Sequence, residues 1–235
     1  MRNKKEIVFT NILGYDFYPP KPAKNEIPEW YKKTPSNMYN NRIIFEKDEL
    51  NHTIKKCMPV FDAMTAGYIL YTQVDVQVTQ KKENEEFYQM FKWPSQNPID
   101  FHPIEQAPLY PKKPEYQYPK WINPYLIKTP PGYSTLFLPP LHNPNSIFTI
   151  LEGIVDTDIF KSTVSLPFIF NNKNWEGIIP AGTPMAQVIP VKRDSWQHKF
   201  GGSSEIEEMT TDTAKLKTLL LNRYKNIFWQ KKEYR

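Results

Sequence analysis

Two aspartates separated by one residue lie in the segment GIVDTD, residues 153 to 158, between two strand-like runs. A carboxylate in such a turn can orient a water molecule or bind a divalent cation. It can also accept backbone N–H groups and hold the turn together, as Asp commonly does. Asp156 and Asp158 are therefore the first candidates for a functional site, with a structural role as the alternative.

The other residue types that do chemistry give weaker signals. The four histidines, His52, His102, His142 and His198, show none of the HxH, HxxxH or HxD spacings that bind metals. We predict no metal site and interpret them as polar loop residues. The single cysteine, Cys57, excludes an internal disulfide and a multi-cysteine zinc site. No base is close to it in sequence, which favours a small buried side chain over a nucleophile.

The elements that must position these residues are predicted to be strands. The chain has 23 prolines and 8 glycines in 235 residues, which favours fixed turns and extended segments over long helices. Strand-like runs with short spacers follow residue 129: YSTLFL, SIFTIL, STVSLPFIF and MAQVIPV. This pattern is typical of a sandwich or barrel. We predict an all-β fold, jelly-roll-like or a distorted β-barrel, with an N-terminal arm and a C-terminal helix.

The expected organisation has three parts. Residues 1–50 form an N-terminal arm, and residues 51–200 form the β domain. Residues 205–235 form a C-terminal helix, because apolar residues recur at helical spacing over 212–231. Within the β domain, residues 81–128 are rich in proline and aromatic residues. We interpret them as an ordered insertion, which either packs on the core or binds a ligand or another chain through its rings.

Charge and hydropathy bear on nucleic-acid binding, secretion and membrane association. The formal net charge is +5, but the basic residues are scattered, so nucleic-acid binding is not indicated. The N-terminus lacks the apolar run of a signal peptide, and no stretch approaches the about 18 apolar residues of a membrane span. We expect a protein that is not secreted by a signal peptide and that has no membrane partner.

Two segments of the chain resemble the dUTPase and dCTP-deaminase family. The first, TAGYILYTQVDVQV, is similar to the family's first motif. The second, LEGIVDTDIFKSTVSLPFIF followed by IIPAGTPMAQVIPV, is similar to the third motif and the next strand. The residues that match this second pattern are Gly153, Asp156, Asp158, Gly182, Ala186 and Gln187. The two matches lie in the family's order and cover less than half of the chain.

The resemblance implies a site shared between the subunits of a homo-oligomer, such as a trimer. Asp156 would be the catalytic carboxylate that orients water, and Asp158 would support the hairpin. The implied ligand-binding residues are Gly67, Tyr68, Gly153 and Asp158. Mg²⁺ is implied as a cofactor only if the chain hydrolyses nucleotides.

Three departures from the family pattern fall on positions that carry chemistry. Ile159 stands where an aromatic residue is expected after the second acid, and Ile69 stands where the first motif has an acid. The phosphate-binding segment expected between the motifs is LPPLHNPNS, residues 138–146, which contains no arginine. Because donors to phosphate oxygens carry much of the catalysis in such sites, this pattern predicts a shared fold with altered or lost catalysis.

The whole chain also resembles a family found in bacteriophage and bacterial genomes, through CMPVFDAMTAGYILY, PGYSTLFLPP and GTPMAQVIPVKRDSW. This resemblance implies a viral source, and with it the host-cell cytoplasm or the virion, but no activity. Two hypotheses follow. The chain is a non-catalytic structural or assembly protein that contacts other protein chains, or it is a pyrimidine deoxynucleotide-binding or hydrolysing enzyme. The missing phosphate-site arginine favours the first.

Overall fold

The computed structural model describes residues 5–14, 18–39, 50–83, 86–111, 114, 117–218 and 224–235. Their secondary structure is mostly antiparallel β, which confirms the predicted all-β class. In chain order the strands are β1 (Val8–Asn11), β2 (Lys21–Pro22), β3 (Asn37–Tyr39), β4 (Leu50–His52), β5 (Tyr68–Tyr71), β6 (Val76–Glu83), β7 (Glu86–Lys92), β8 (Ile99–Pro103), β9 (Gln117–Ile122), β10 (Tyr125–Lys128), β11 (Tyr133–Leu138), β12 (Phe148–Ile150), β13 (Gly153–Val155), β14 (Ser165–Phe170), β15 (Gly177–Ile179) and β16 (Pro184–Lys192). The α-helices are α1 (Glu29–Lys33), α2 (Met58–Thr65) and α3 (Ser203–Thr218).

These strands form five antiparallel sheets. The first sheet has the spatial order β13-β11-β16-β5-β2, so the strands that follow Gly67 and that begin at Gly153 lie in one sheet. The second has the order β12-β14-β9-β8, and the third joins β15, β6 and β7. Two strand pairs, β1 with β10 and β3 with β4, are the remaining ones in the described residues. None of these sheets closes on itself, so the closed alternative of the predicted fold is not found in this part of the chain.

The core is shared by the first three sheets. Its centre is a group of aromatic rings from the second sheet, where Trp121 stacks on Phe168 with ring centroids 5.0 Å apart and Phe148 tilts against both. The first sheet contributes Phe137 and Val188 to the same core. Burying each large apolar side chain stabilises the fold by about 1.5–3 kcal/mol, so this packing holds the strands of the first sheet in place.

The opposite face of the first sheet contacts α2. Successive residues of a strand point to opposite faces, so Gln187 points away from the core that Val188 enters. Its buried side-chain amide donates to the carbonyl oxygens of Ala63 and Ala66 at 2.9 and 2.6 Å and accepts from the N–H of Leu141 at 2.8 Å. Both ends of the amide are satisfied, and they tie α2 and the loop after β11 to the sheet.

The predicted insertion and the predicted N-terminal arm both contribute strands to the sheets. The segment 81–128, interpreted above as an insertion, supplies β7 to β10, and β9 lies inside the second sheet. From the predicted arm, β1 pairs with β10 and β2 pairs with β5, whereas residues 40–49 lie outside the described residues. The boundaries between arm, β domain and helix stay a prediction.

Helix α3 begins at Ser203, before the apolar periodicity of the predicted C-terminal helix. The described part of α3 reaches Thr218, a π-helical turn covers Tyr224–Phe228, and residues 219–223 lie outside the described residues. No helix in the described part of the chain is both long and apolar enough to span a membrane.

Candidate functional site

Three chain segments meet at one edge of the first sheet, where β13 ends. Because β11 is antiparallel to both β13 and β16, the start of β11 lies beside the ends of the other two strands. The register pairs Thr135 with Val155 on one side, and Ser134 with Val191 on the other. The two acids that follow β13 therefore come close to Ser134 and to the residue after β16, which is Arg193.

Asp156 shares one carboxylate oxygen between two donors. The Ser134 hydroxyl donates to Oδ1 of Asp156 at 2.7 Å, and Nη1 of Arg193 lies 3.2 Å from the same oxygen. Nη1 of Arg193 also lies 3.3 Å from the Ser134 hydroxyl. The Asp156 side chain is nevertheless 56% exposed, so this carboxylate faces solvent from within a small polar network.

Asp158 is more enclosed, and its side chain is only 7% exposed. Arg193 donates to both of its oxygens, at 2.7 Å to Oδ1 and 2.5 Å to Oδ2, as a bidentate pair. The N–H of Gly132 also donates to Oδ2 at 2.8 Å. The hydrogen bonds from Arg193, assisted by the Gly132 N–H, lower the pKa of Asp158 to about 2 although burial opposes the shift. The same contact raises the pKa of Arg193, so both groups are charged at neutral pH.

Backbone and hydroxyl contacts fix the turn that carries the two acids. The carbonyl oxygen of Asp156 accepts the N–H of Phe160 at 2.8 Å. Between the acids, Thr157 is buried, and its hydroxyl lies 2.7 Å from the hydroxyls of both Thr129 and Thr135. The two acids and Thr157 between them therefore hold this turn to β11 and to the residues just before it.

The other predicted binding residues, Gly67 and Tyr68, lie at the start of β5. Gly67 has a φ of +68°, and a Cβ at this position would lie 2.0 Å from the carbonyl oxygen of Val188, so only glycine fits. The Tyr68 ring packs edge-to-face on Phe9 and on Tyr234, with centroids 5.2 and 6.1 Å apart. Burial raises the pKa of the Tyr68 hydroxyl. Gly67 therefore has a structural role, and the chain's own C-terminal residues cover Tyr68.

The two halves of the predicted site do not meet within one chain. The residues that form one row across the first sheet are Tyr68, Val188, Phe137 and Gly153. With about 4.8 Å between neighbouring strands, the backbones of Tyr68 and Gly153 are about 14 Å apart. A site that used both halves would need a second copy of the chain.

Neither metal nor phosphate ligation is evident in the described residues. They contain no group of three or more His, Cys, Asp or Glu side chains that could hold a metal ion. The glycine-rich segment GGSS, residues 201–204, leads into α3. There the N–H of Gly202 and the hydroxyl of Ser204 donate to the same oxygen of Glu205, at 2.8 and 2.7 Å. An acidic side chain thus occupies the donors that a phosphate would need.

The sequence indicates the two acids but not the residues that hold them. Ser134 and Gly132 belong to the run PGYSTLFL, whose alternation predicts a strand and gives no sign of a polar contact. Arg193 comes almost directly after the predicted strand MAQVIPV. Because β16 pairs antiparallel with β11, this position just after β16 is the feature from which the contact between Arg193 and the acids could have been predicted.

Neither a scan against protein-family models nor a search of curated proteins found a match to this chain.

Proposed function

We propose that this chain is a non-catalytic structural or assembly protein, phage-encoded, on a jelly-roll-like β scaffold of the dUTPase type. The observation that carries the proposal is the polar network at the end of β13. Arg193 pairs with Asp158 through both terminal nitrogens, and Ser134 donates to Asp156. A network whose charges satisfy one another in this way acts as a structural support of the hairpin.

Catalysis on a nucleoside triphosphate would need donors that are available to the substrate. Phosphoryl chemistry works by stabilising charge on phosphate oxygens. To serve that purpose, Arg193 would have to leave its bidentate pair with Asp158, and such charge-assisted pairs are among the stronger hydrogen bonds in proteins. Residues 138–146 supply no arginine in its place. These features support the loss of activity.

The positions of the two matched segments support the scaffold part of the proposal. β5 and β13 lie in one sheet, and that sheet packs through Phe137 and Val188 against the aromatic centre of the second sheet. A packed pair of antiparallel sheets is the arrangement on which a jelly roll is built. Fold alone does not decide the activity of such a scaffold.

Apolar side chains beside the acids support contacts with other chains. Ile154 and Ile159 are each 67% exposed, and Phe160 next to them is also exposed. We name these three residues the hairpin patch. Exposed apolar residues near one another along the chain can belong to an interaction surface. The hairpin patch would join copies of this chain into a homo-oligomer, such as a trimer, in the host-cell cytoplasm or the virion.

Light scattering on the purified chain over a range of concentrations tests the assembly role. We expect the wild type to be oligomeric and the double substitution Ile154→Ser and Ile159→Ser to weaken the oligomer. Ile178→Ser is the matched control, because Ile178 is similarly exposed but lies on β15 in the third sheet. A wild type that stays monomeric at every concentration would contradict the proposal, and so would equal effects of the two changes.

A second candidate function, pyrimidine deoxynucleotide binding or hydrolysis, is favoured by one observation, the exposed carboxylate of Asp156. Mg²⁺ does not fit well beside it. Mg²⁺ is usually bound by one or two carboxylates together with substrate phosphates, and here the Arg193 cation lies 3.2 Å from the Asp156 oxygen. The neighbouring positive charge opposes the binding of a divalent cation at this carboxylate.

Incubation with each deoxynucleoside triphosphate and Mg²⁺ separates the two candidates. We expect no pyrophosphate or ammonia release at the rate of a working enzyme, and no difference between the wild type and Asp156→Asn. Rapid release by the wild type that disappears in Asp156→Asn would restore the enzymatic hypothesis. Weak nucleotide binding without turnover is compatible with the assembly role.

A further inference from the structure

The last seven residues of the chain, which we name the tail (residues 229–235), lie on their own chain against α2 and β5. The indole Nε1 of Trp229 donates to both carboxylate oxygens of Asp62, at 3.0 and 2.9 Å, and Nζ of Lys232 lies 2.5 Å from one of them. The Tyr68 hydroxyl donates to the backbone oxygen of Arg235 at 3.1 Å. In the Trp229–Asp62 and Tyr68–Arg235 contacts the partners are 167 residues apart in sequence, so the tail returns to a distant part of the chain.

Few residues of this segment are shielded from solvent. Among the described residues 224–235, Trp229 and Tyr234 are half-buried and all the others are exposed. Trp229 lies at Asp62, and the Tyr234 ring packs edge-to-face on Tyr68 with centroids 6.1 Å apart. Two side chains, five positions apart, are therefore the anchor points of the tail. Because the apolar contribution to binding scales with the buried area, releasing two anchors costs far less than unfolding the sheets.

The carboxylate of Asp62 supplies the electrostatic part of the contact. Its side chain is 18% exposed, whereas that of Lys232 is 51% exposed. An ion pair with one partner so open to solvent adds little stability and is weakened by salt. The central core of the three sheets is formed elsewhere, by residues such as Trp121 and Phe168. The contacts of the tail can therefore break without disturbing that core.

We propose that the tail is a releasable strap, which closes over Tyr68 through its contacts with Asp62 and opens while the β body stays folded. Local opening of this kind is expected where a segment has few buried apolar contacts. Tyr68 is one of the residues that the sequence predicts to bind a ligand, so the strap controls access to that half of the candidate site. The inference concerns contacts within one chain and does not depend on the proposed assembly function.

Chemical coupling of carboxylates measures the opening. A water-soluble carbodiimide with glycine ethyl ester modifies a carboxylate that the reagents can reach, and mass spectrometry gives the rate at each residue of the folded, full-length chain. When closing is faster than coupling, the rate at Asp62 is proportional to the population of the open strap. The exposed Glu207 on α3 is the reference carboxylate within each sample.

We expect each lost contact to raise the coupling rate at Asp62. Lys232→Gln should raise it about two- to fivefold, the range for one exposed ion pair. Trp229→Phe keeps a ring but loses the indole N–H, and should raise it about tenfold, because that N–H bonds to a charged group. Salt at about 1 M should raise the rate in the wild type and have less effect in Lys232→Gln. Lys231→Gln is the matched control, since Lys231 pairs with Glu233 inside the tail, and should match the wild type.

The urea dependence of the coupling rate distinguishes a strap from a fixed part of the fold. Opening of the tail alone exposes little surface, so the rate at Asp62 should change little in dilute urea. The unfolding midpoint of Lys232→Gln should also match that of the wild type. A rate at Asp62 that rises with urea as steeply as global unfolding overturns the strap, because the tail then opens only with the body. Equal rates at Asp62 in the wild type and in Trp229→Phe overturn its role as the anchor.

Discussion

Gly67 directly precedes β5 and Gly153 begins β13, two strands of the same sheet, but the surroundings of the two glycines are opposite. At Gly67 a Cβ would collide with a backbone oxygen at 2.0 Å, and φ is +68°. At Gly153 a Cβ would meet nothing within 4 Å. The strand that follows Gly67 is mostly buried, whereas the segment after Gly153 carries the exposed hairpin patch.

This difference separates a segment that serves the fold from a segment that lies on the surface. The first segment, with Gly67, is fixed by its close approach to Val188 on β16. The buried Gln187 on the same strand pairs with Ile69 and donates to the carbonyl oxygen of Ala63. The second segment is held by a polar network at its end and is open on its outer face. One segment of the first sheet is therefore held by packing, and the other by a salt bridge.

The strongest test of this difference is to introduce a charge into the buried region and into the exposed hairpin. Val188 is fully buried on β16, and Val188→Asp should lower the free energy of unfolding by at least about 3 kcal/mol, the scale of an unpaired buried charge. Ile154→Asp, on the exposed hairpin side, should change it by less than about 0.5 kcal/mol. Urea unfolding at one low protein concentration measures both. Similar losses in the two variants would show that the two regions are not distinct.

A smaller contrast is expected from the glycines themselves. Gly67→Ala forces a Cβ against the Val188 carbonyl in a left-handed conformation, and should cost about 2–4 kcal/mol. Gly153→Ala has open space and no positive φ, and should be neutral within about 0.5 kcal/mol. Thermal and urea unfolding of the two variants measure these changes in the free energy of unfolding. A Gly153→Ala variant that is stable but no longer oligomeric would assign Gly153 to the interface.

Substitution of the buried Gln187 measures how much its amide contributes to the stability of the first sheet. Gln187→Leu leaves the N–H of Leu141 and the carbonyl oxygens of Ala63 and Ala66 without the partners that the amide provides. A loss of about 1–3 kcal/mol is expected. The matched control is Gln77→Leu, at an exposed position of β6, which should have little effect. Equal stability of the two variants would mean that water replaces the amide at position 187.

Local sequence patterns predict much of this fold but little of its site. The runs YSTLFL and MAQVIPV alternate or cluster apolar residues strongly enough to predict β11 and β16, and both are strands. Of the apolar residues in the second run, Met185 and Val188 are buried, whereas Ile189 is only half-buried. The pairing of β16 between β5 and β11 depends on contacts far apart in sequence, which no local pattern contains.

The site was harder to predict because its decisive partner is distant. Asp158 and Arg193 are 35 residues apart, and nothing in either segment indicates the bidentate pair. The position of Arg193 follows from the register between β11 and β16, which is set by packing against the core. The sequence shows the two carboxylates in one short turn, whereas their pairing with Arg193 and Ser134 is a property of the assembled sheet.

The smallest expected effect concerns the pH dependence of the Asp158–Arg193 pair. The pKa of Asp158 is about 2 in the folded protein, below its ordinary value of 3.8, chiefly because of the hydrogen bonds from Arg193. A group whose pKa is lowered by folding adds stability above its unfolded pKa and loses that contribution as pH falls towards the folded value. Wild-type protein should therefore be more stable than Asp158→Asn above about pH 4, and the difference should shrink between pH 3.8 and about 2.

Urea midpoints of the two proteins at a series of pH values measure this difference directly. Other carboxyl groups with lowered pKa, such as those of Asp100 and Glu205, titrate in both proteins and cancel in the comparison. Glu207→Gln, at an exposed position of α3, is the control and should follow the wild type at every pH. If Asp158→Asn matched the wild type at neutral pH as well, the bidentate pair would not support the hairpin. Arg193 would then be free to bind an anion, and the case against catalysis would lose its main support.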